Sequence, residues 1–143
     1  GERTLAANEF FLDYRKTARA DDEIIVAVTI PRRSDIVQAA CKVAKRQTDD
    51  ISIVAAVFAL GFAADKSINH ARLAYGGVAA VPLRATKVEN FLLGRALDEA
   101  TVATACAMLR HHFAPLSDHR ASAGYRAQLC GSLFAKFVAE NAP

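Results

Sequence analysis

The stretch "ISIVAAVFALGFAADKSINHARLAYGGVAA", residues 51–80, decides the fold. Two apolar runs, residues 51–65 and 68–80, flank the short polar connection "DKS". Both runs contain the β-branched and aromatic residues that favour strands, and a short polar connection between two such runs is typical of a hairpin. The sequence therefore predicts a long antiparallel hairpin at the centre of the chain.

Two upstream segments predict further strands. The run "EIIVAVTIP", residues 23–31, is closed by Pro31, and its even-numbered residues are bulkier, so we expect these to face the core. The run "VQAACKVAKR", residues 37–46, has the composition of a strand or of a helix. The polar "RRSD" between the two runs suits a turn between paired strands better, and a strand is the interpretation we adopt.

The second half of the chain changes to a helical period. A first short helix ends at Gly94, Asp98 is placed to cap a second helix that Pro115 ends, and a long last helix follows. Their apolar positions are Ala85, Val88, Phe91 and Leu92; Val102, Ala105, Cys106, Leu109 and Phe113; and Tyr125, Leu129, Leu133 and Phe137. Strands followed by helices predict an α+β domain, in which about three helices cover one face of a three- to four-stranded antiparallel sheet.

Composition limits the classes of function. The 143 residues are 52% hydrophobic and 23% charged, which suits one globular domain with its own core. The net charge of +3 is not gathered into a basic stripe, so we expect no nucleic-acid partner. No apolar run reaches the roughly 18 residues of a membrane span. The three cysteines lack metal-site spacing, which fits a reducing, cytoplasmic location.

No catalytic or metal-binding residue is predicted. Gly76 and Gly77 lack the spacing and the following helix of a phosphate-binding loop, so we expect a bulge or a close backbone approach there. The adjacent His111 and His112 would diverge by about 100° on a helix and could not chelate one ion. The group Ser117–His119 reads as a polar turn before the last helix.

Lys42 leaves two interpretations open. On a strand it shares a face with Ala40 and Ala44, so a long cation rises beside small side chains. It is then either a solvated lysine whose aliphatic stem covers its neighbours, or a cation beside a flat surface on which a planar ring could lie.

Other charged residues are expected to shape turns and helix ends. Asp49 and Asp50 either accept backbone N–H bonds and meet Arg46, or line a site. The spacing of Arg84 and Glu89 favours a local ion pair or a helix cap. The group of Arg120, Tyr125 and Arg126 is expected to anchor the last helix to the sheet or to a partner.

Four segments carry a resemblance to a known family. They are "FFLDYRKTARADDEIIVAVTIP", "KVAKRQTDDISIVAAV", "ARLAYGGVAAVPLRATKVENFLLGRAL" and "SDHRASAGYRAQLCGSLFAKF". Together and in this order they resemble the C-terminal part of the FAD-binding subunit of the xanthine dehydrogenases, which are molybdenum hydroxylases. The resemblance implies that residues 1–22 end the FAD-binding domain with a connecting loop. Residues 23–143 would form the α+β domain that closes over the isoalloxazine ring.

The resemblance also implies cofactors and partners. In that family electrons pass from a molybdopterin centre through [2Fe–2S] clusters and FAD to NAD during purine hydroxylation. The expected partners are the molybdopterin-binding subunit, the [2Fe–2S] domain and the rest of the FAD subunit. The loops that hold the FAD phosphates lie upstream in the family, and the first residue, Gly1, in mid-pattern suggests a piece of a longer protein.

Five residues are implied to bind the flavin. Lys42 would lie near the pyrimidine edge, Ile25 would touch the ring, Arg15 and Asp49 would line the side reached by nicotinamide, and Tyr14 would help to cover it. Two alternatives remain open. One is the flavoprotein domain of another molybdenum hydroxylase, acting on CO, an aldehyde or an N-heterocycle. The other is a cofactor-free module that docks subunits.

Overall fold

The computed structural model describes residues 1–141, so the predicted domain, residues 23–143, ends on two residues outside those described. The strands are β1 (Phe11–Asp13), β2 (Lys16–Thr17), β3 (Ile36–Val43), β4 (Val54–Phe62), β5 (Ile68–Gly76) and β6 (Leu83–Arg84). The helices are α1 (Ala7–Phe10), α2 (Thr86–Leu92), α3 (Glu99–His112) and α4 (Ala123–Asn141). None of the helices in residues 1–141 is long and apolar enough to cross a membrane. The predicted α+β class is confirmed.

The predicted central hairpin forms the middle of a four-stranded antiparallel sheet, ordered β3-β4-β5-β6. Its turn is closed by Asp65, whose carboxylate accepts hydrogen bonds from the Ser67 backbone N–H at 3.0 Å and the Ser67 hydroxyl at 2.6 Å. Lys66 occupies the left-handed region that such a turn needs, with φ 64°. The polar connection between two strand-forming runs thus fixes the register of the β4–β5 hairpin.

One face of this sheet forms the core. Side chains alternate along β4 from Val54 to Leu60, where the buried residues are Val54, Ala56, Phe58 and Leu60. Phe58 contacts the rings of Tyr75, Phe134 and Phe137, with centroid distances of 5.6, 5.7 and 5.1 Å. The Tyr75 hydroxyl, which is also buried, donates to the Cys130 carbonyl at 2.8 Å. Helices α2 and α4 pack on this face, and α3 packs against both.

The helices form where the sequence pattern predicts them, but at the start of α4 the buried position is one residue later than predicted. Asp98 caps α3 as predicted, since its carboxylate accepts the Thr101 backbone N–H at 2.8 Å. In α4, however, Tyr125 is 47% exposed, and its neighbour Arg126 is buried at 5% exposure. The prediction that Tyr125 belongs to the buried stripe is therefore wrong. Arg126 takes the inward position because its guanidinium bonds buried carbonyl oxygens there.

The predicted strand at residues 23–31 is wrong. No strand occurs in this segment, and it does not pair with β3. Its even-numbered bulky residues, expected in the core, are exposed instead, at 73 to 83%: Ile24, Val26, Val28 and Ile30. Ile25, on the other face, is 60% exposed. A strand requires a neighbour that completes its hydrogen bonds, and no strand in residues 1–141 lies beside this segment to supply them.

Residues 1–23 form a small hydrogen-bonded unit of their own. Strands β1 and β2 make a two-stranded sheet, separate from the four-stranded one. The Arg3 guanidinium bonds both carboxylate oxygens of Glu23, at 2.6 and 2.7 Å, and donates to the Ala18 carbonyl at 2.6 Å. Within the described chain, no hydrogen bond joins residues 1–35 to residues 36–141. The core domain is therefore built from β3 onward.

Candidate functional site

The sheet face opposite the helices is a flat floor of small side chains. Three rows cross strands β3, β4 and β5: Lys42, Ala55 and Gly76; Ala40, Val57 and Ala74; and Gln38, Ala59 and Arg72. Neighbouring strands lie about 4.8 Å apart, and residues on one face repeat about every 7 Å along a strand. We call the six central residues, Ala40, Ala55, Val57, Ala59, Ala74 and Gly76, the small-residue floor.

Lys42 stands at one corner of this floor. Strand β3 ends at Val43, so the lysine's small neighbours are Ala40 and, across the strand, Ala55, rather than Ala44 as predicted. Lys42 is exposed, and within residues 1–141 its ammonium makes no hydrogen bond or ion pair. The cation therefore lies beside an open platform and is available to an external group.

The two glycines at the end of β5 differ in what they permit. A Cβ built on Gly76 would meet only the Ala55 Cβ, at 3.9 Å, so the space above this position is open. Gly77 has φ 80°, and a Cβ there would lie 2.3 Å from the Ile53 carbonyl oxygen. The predicted close backbone approach is confirmed for Gly77, while Gly76 keeps the floor flat.

The aspartate pair belongs to the turn between β3 and β4. The Asp50 carboxylate accepts the backbone N–H groups of Arg46 and Ile51, each at 2.9 Å. Burial raises the pKa of Asp50, but the backbone N–H bonds and the nearby Arg46 charge together outweigh it, so the net pKa is lowered. The structural interpretation of Asp50 is thereby confirmed. Asp49 is exposed with φ 49°, and its carboxylate forms no hydrogen bond within residues 1–141, so its site-lining role stays a prediction.

The other three predicted flavin contacts do not lie on the floor. Tyr14 and Arg15 form the two-residue turn between β1 and β2, where Arg15 has φ 57° and Tyr14 is exposed. Ile25 lies in the unpaired extended segment. Sequence order gave no signal of this separation, which arises because neither the β1–β2 hairpin nor residues 24–30 pair with the four-stranded sheet. Their contact with a flavin stays a prediction.

Arg126 and Asp118 hold the end of the sheet that carries Lys42, from the face that the helices cover. Arg126 Nη1 donates to the Ile53 carbonyl at 2.5 Å and the Gly77 carbonyl at 3.0 Å. Arg126 Nη2 bonds both carboxylate oxygens of Asp118 at 2.9 Å. Backbone N–H bonds from Arg120 and Ala121, together with Arg126, lower the pKa of Asp118 to about 2. The predicted anchoring of the last helix to the sheet is confirmed for Arg126.

Glu89 is the second buried charge with a structural explanation. It is buried, accepts the Leu73 backbone N–H at 2.8 Å and forms a two-pronged ion pair with Arg84. The predicted local ion pair is confirmed. This ion pair ties α2 to β5 and β6, and β6 is the edge strand opposite β3, which carries Lys42.

The cysteines behave as packing residues. Cys106 on α3 and Cys130 on α4 are buried, and burial raises the pKa of the Cys130 thiol to about 11, which keeps it protonated at neutral pH. Among residues 1–141, no three His, Cys, Asp or Glu side chains are grouped to hold a metal ion.

Comparison with known proteins places this arrangement in a family. The family described as "CO dehydrogenase flavoprotein C-terminal domain" matches residues 39–141, which is the described core domain. The chain belongs to this family. The flavoprotein family predicted from the sequence segments is thereby confirmed.

The relatives share most of this chain. Xanthine dehydrogenase from Blastobotrys adeninivorans is 36% identical over 96% of the chain, and the nicotinate hydroxylase hnxS from Emericella nidulans is 37% identical over 95%. Quinoline 2-oxidoreductase from Pseudomonas putida 86 has a TM-score of 0.85 at 26% identity, covering 96% of this chain and 47% of that one. The chain spans only about a tenth of the two curated relatives, 10% and 11%.

Proposed function

We propose that this chain is the flavin-side domain of a xanthine dehydrogenase FAD subunit. It helps to hold FAD that passes electrons from [2Fe–2S] clusters to NAD during purine hydroxylation. The observation that carries the proposal is the exposed Lys42 ammonium at the corner of the small-residue floor. The family membership and the xanthine dehydrogenase relative support it.

The residues present fit the ring part of this cofactor. Methyl groups and one glycine leave room for a planar face to lie on the sheet, and Gly76 leaves the space next to Lys42 open. The phosphates would bind elsewhere, because within residues 1–141 the paired glycines lead into no helix whose N–H groups could hold them. When bound, FAD supplies a ring that accepts two electrons and passes them on.

Lys42 would tune that ring by its charge. Electron uptake places negative charge on one edge of a flavin, and a fixed ammonium nearby favours the reduced form more than the oxidised one. Lys42 would therefore raise the reduction potential. In the same proposal Asp49 sets the opposing local field, while Ile25, Arg15 and Tyr14 contact or cover the ring from the N-terminal segment.

The exposed apolar segment supports a partner within the same subunit. Solved relatives are about twice as long as this chain, and residues 24–30 offer several unpacked aliphatic side chains. In our proposal residues 1–22 end the FAD-binding domain, residues 23–143 form the next domain, and the exposed run packs against the FAD-binding domain. The molybdopterin-binding subunit and the [2Fe–2S] domain are the further partners. A cytoplasmic setting would keep the three free thiols reduced.

A second candidate substrate class has equal support from identity. The nicotinate hydroxylase matches the chain as well as the xanthine dehydrogenase does, at 37% against 36%. The complete enzyme would then hydroxylate another N-heterocycle, with the same flavin-side role for this domain. Assaying the complete enzyme with xanthine and with nicotinate separates the two.

The flavin role is tested on the full-length subunit with three variants. Lys42→Met is expected to lower the FAD content and the flavin midpoint potential, because it removes the cation but keeps a long stem. Lys42→Arg should retain most of both properties. Lys87→Met, which removes an exposed lysine from α2, is the matched control and should change neither.

Two results would contradict the proposal. One is a Lys42→Met subunit with wild-type FAD content and wild-type potential. The other is a wild-type full-length subunit that purifies colourless and takes up no FAD, which would favour the cofactor-free docking module.

A further inference from the structure

Arg126 is a buried cation with an unusual set of partners. Only 5% of the residue is exposed, and its Nη atoms bond two main-chain carbonyls and one carboxylate. Its Nε is buried without a partner in residues 1–141. A buried charge of this kind is costly, and an apolar side chain of similar volume often gives equal or greater stability. The arginine therefore calls for an explanation beyond stability.

The two carbonyls that it bonds flank the row of Lys42. The row of Lys42 also contains Ala55 and Gly76. Ile53 lies two residues before Ala55, and Gly77 directly follows Gly76. The Ile53 N–H also donates to the Val43 carbonyl at 2.7 Å, next to Lys42 itself. One guanidinium thus bridges the ends of β4 and β5 below the corner of the floor on which the lysine stands.

The loop between α3 and α4 ties the third strand into the same arrangement. Asp118 in this loop holds Arg126, and the next residue, His119, accepts a hydrogen bond from Lys45 Nζ at 2.9 Å through its carbonyl. Lys45 lies three positions after Lys42, just beyond β3. The ends of β4 and β5 are therefore joined to the first turn of α4, and the residues after β3 are joined to the loop before α4.

We propose that Arg126 is a positioning residue for Lys42, a role that rests on the flavin function proposed above. The planar guanidinium fixes the relative positions of β4 and β5 through two carbonyls and is itself fixed by the two oxygens of Asp118. This keeps the Lys42 ammonium at a constant place beside the floor, so the lysine's charge acts on the flavin with full effect. Without Arg126 the lysine is still present, but its position varies.

The test is a double-mutant cycle on the flavin midpoint potential of the full-length subunit. Potentials are measured for wild type, Lys42→Met, Arg126→Gln and the double variant. If Arg126 positions Lys42, the fall in potential caused by Lys42→Met shrinks to less than about half in the Arg126→Gln background. Arg126→Lys keeps the charge but lacks the planar fork, and an intermediate result is expected from it. This milder variant also serves if Arg126→Gln does not fold.

Glu89→Gln is the matched control. It weakens a buried ion pair on another helix of the same sheet, so it should lower the thermal midpoint and leave the effect of Lys42→Met on the potential unchanged. Hydrogen exchange provides a readout that does not depend on the cofactor. The Ile53 amide, which donates to the Val43 carbonyl, and the Ala55 amide in β4 should exchange faster in Arg126→Gln and at the wild-type rate in Glu89→Gln.

The outcomes separate the two proposals. If Lys42→Met shifts the potential equally with and without Arg126, Arg126 is only structural, and the inference is overturned while the flavin function stands. If Lys42→Met shifts nothing even in the wild-type background, the flavin role and this inference both fail.

Discussion

At the scale of single residues, neighbours in the sequence of this domain can have opposite surroundings, one open and the other closely packed. Gly76 and Gly77 follow each other in sequence, yet one faces open space and the other a carbonyl oxygen. Tyr125 and Arg126 differ in the same way, as one is exposed and the other buried. Residue type alone did not show these differences, because each depends on contacts with residues more than twenty positions away.

The glycine pair gives a sharp prediction. Gly76→Leu should leave the free energy of unfolding within about 1 kcal/mol of wild type, because a side chain fits there, but it should abolish FAD binding by filling the space beside Lys42. Gly77→Ala should cost about 2 kcal/mol or more, because it combines a left-handed φ with a clash against the Ile53 carbonyl. Urea unfolding of this chain and the FAD content of the full-length subunit are the measurements. A Gly76→Leu subunit that keeps its flavin would contradict the location of the ring.

Asp118 predicts a pH dependence. Its folded-state pKa of about 2 lies below the ordinary value of 3.8, so the ionised carboxylate stabilises the fold above pH 3.8, and this contribution is lost as pH falls towards 2. Asp118→Asn should therefore be less stable than wild type at pH 7, and the difference should disappear near pH 2. Thermal midpoints of both proteins across this range are the check. A difference that stays constant with pH would show that the charge of Asp118 does not matter.

At the scale of elements, the sequence predicted what local patterning controls. The β4–β5 hairpin, the helices α2 to α4 and the Asp98 cap were all predicted, because turn residues, cap residues and periodicity act over a few positions. The segment 23–31 has the composition of a strand but no strand beside it in the described chain. Composition reports strand propensity, whereas a strand forms only with a partner.

The cap of α3 can be tested at this scale. Asp98→Ala removes the acceptor of the Thr101 N–H and should lower the thermal midpoint by roughly 3 °C. Asp98→Asn keeps an acceptor oxygen and should lie within about 1 °C of wild type. Calorimetry of the three proteins decides the matter. Equal losses in both variants would mean that charge, rather than the capping bond, is what α3 requires.

At the scale of the whole molecule, the candidate site is a product of register. Lys42 and Ala40 were predicted to share a face, but the rest of the floor comes from two other strands, with Ala55, Val57, Ala59, Ala74 and Gly76. Their small size at every second position was visible in the sequence. Which rows they share with Lys42 depends on pairings across three strands, which no local pattern specifies. The sequence thus predicted the Lys42 corner of the floor, and it could not predict the assembly of the floor across β4 and β5.

The same scale gives the last prediction, on the exposed apolar segment. Replacing Ile24, Val26 and Val28 together by Thr should change the free energy of unfolding of this chain by no more than about 0.5 kcal/mol, because these side chains are largely exposed. Leu60→Ala, at a buried position on β4, should cost about 2–5 kcal/mol in the same urea titration. In the full-length subunit the triple variant should instead be clearly destabilising, because the segment would there pack against the FAD-binding domain. A triple variant as neutral in the full-length subunit as in this chain would show that the segment is not an internal interface, and the proposed packing would have to be abandoned.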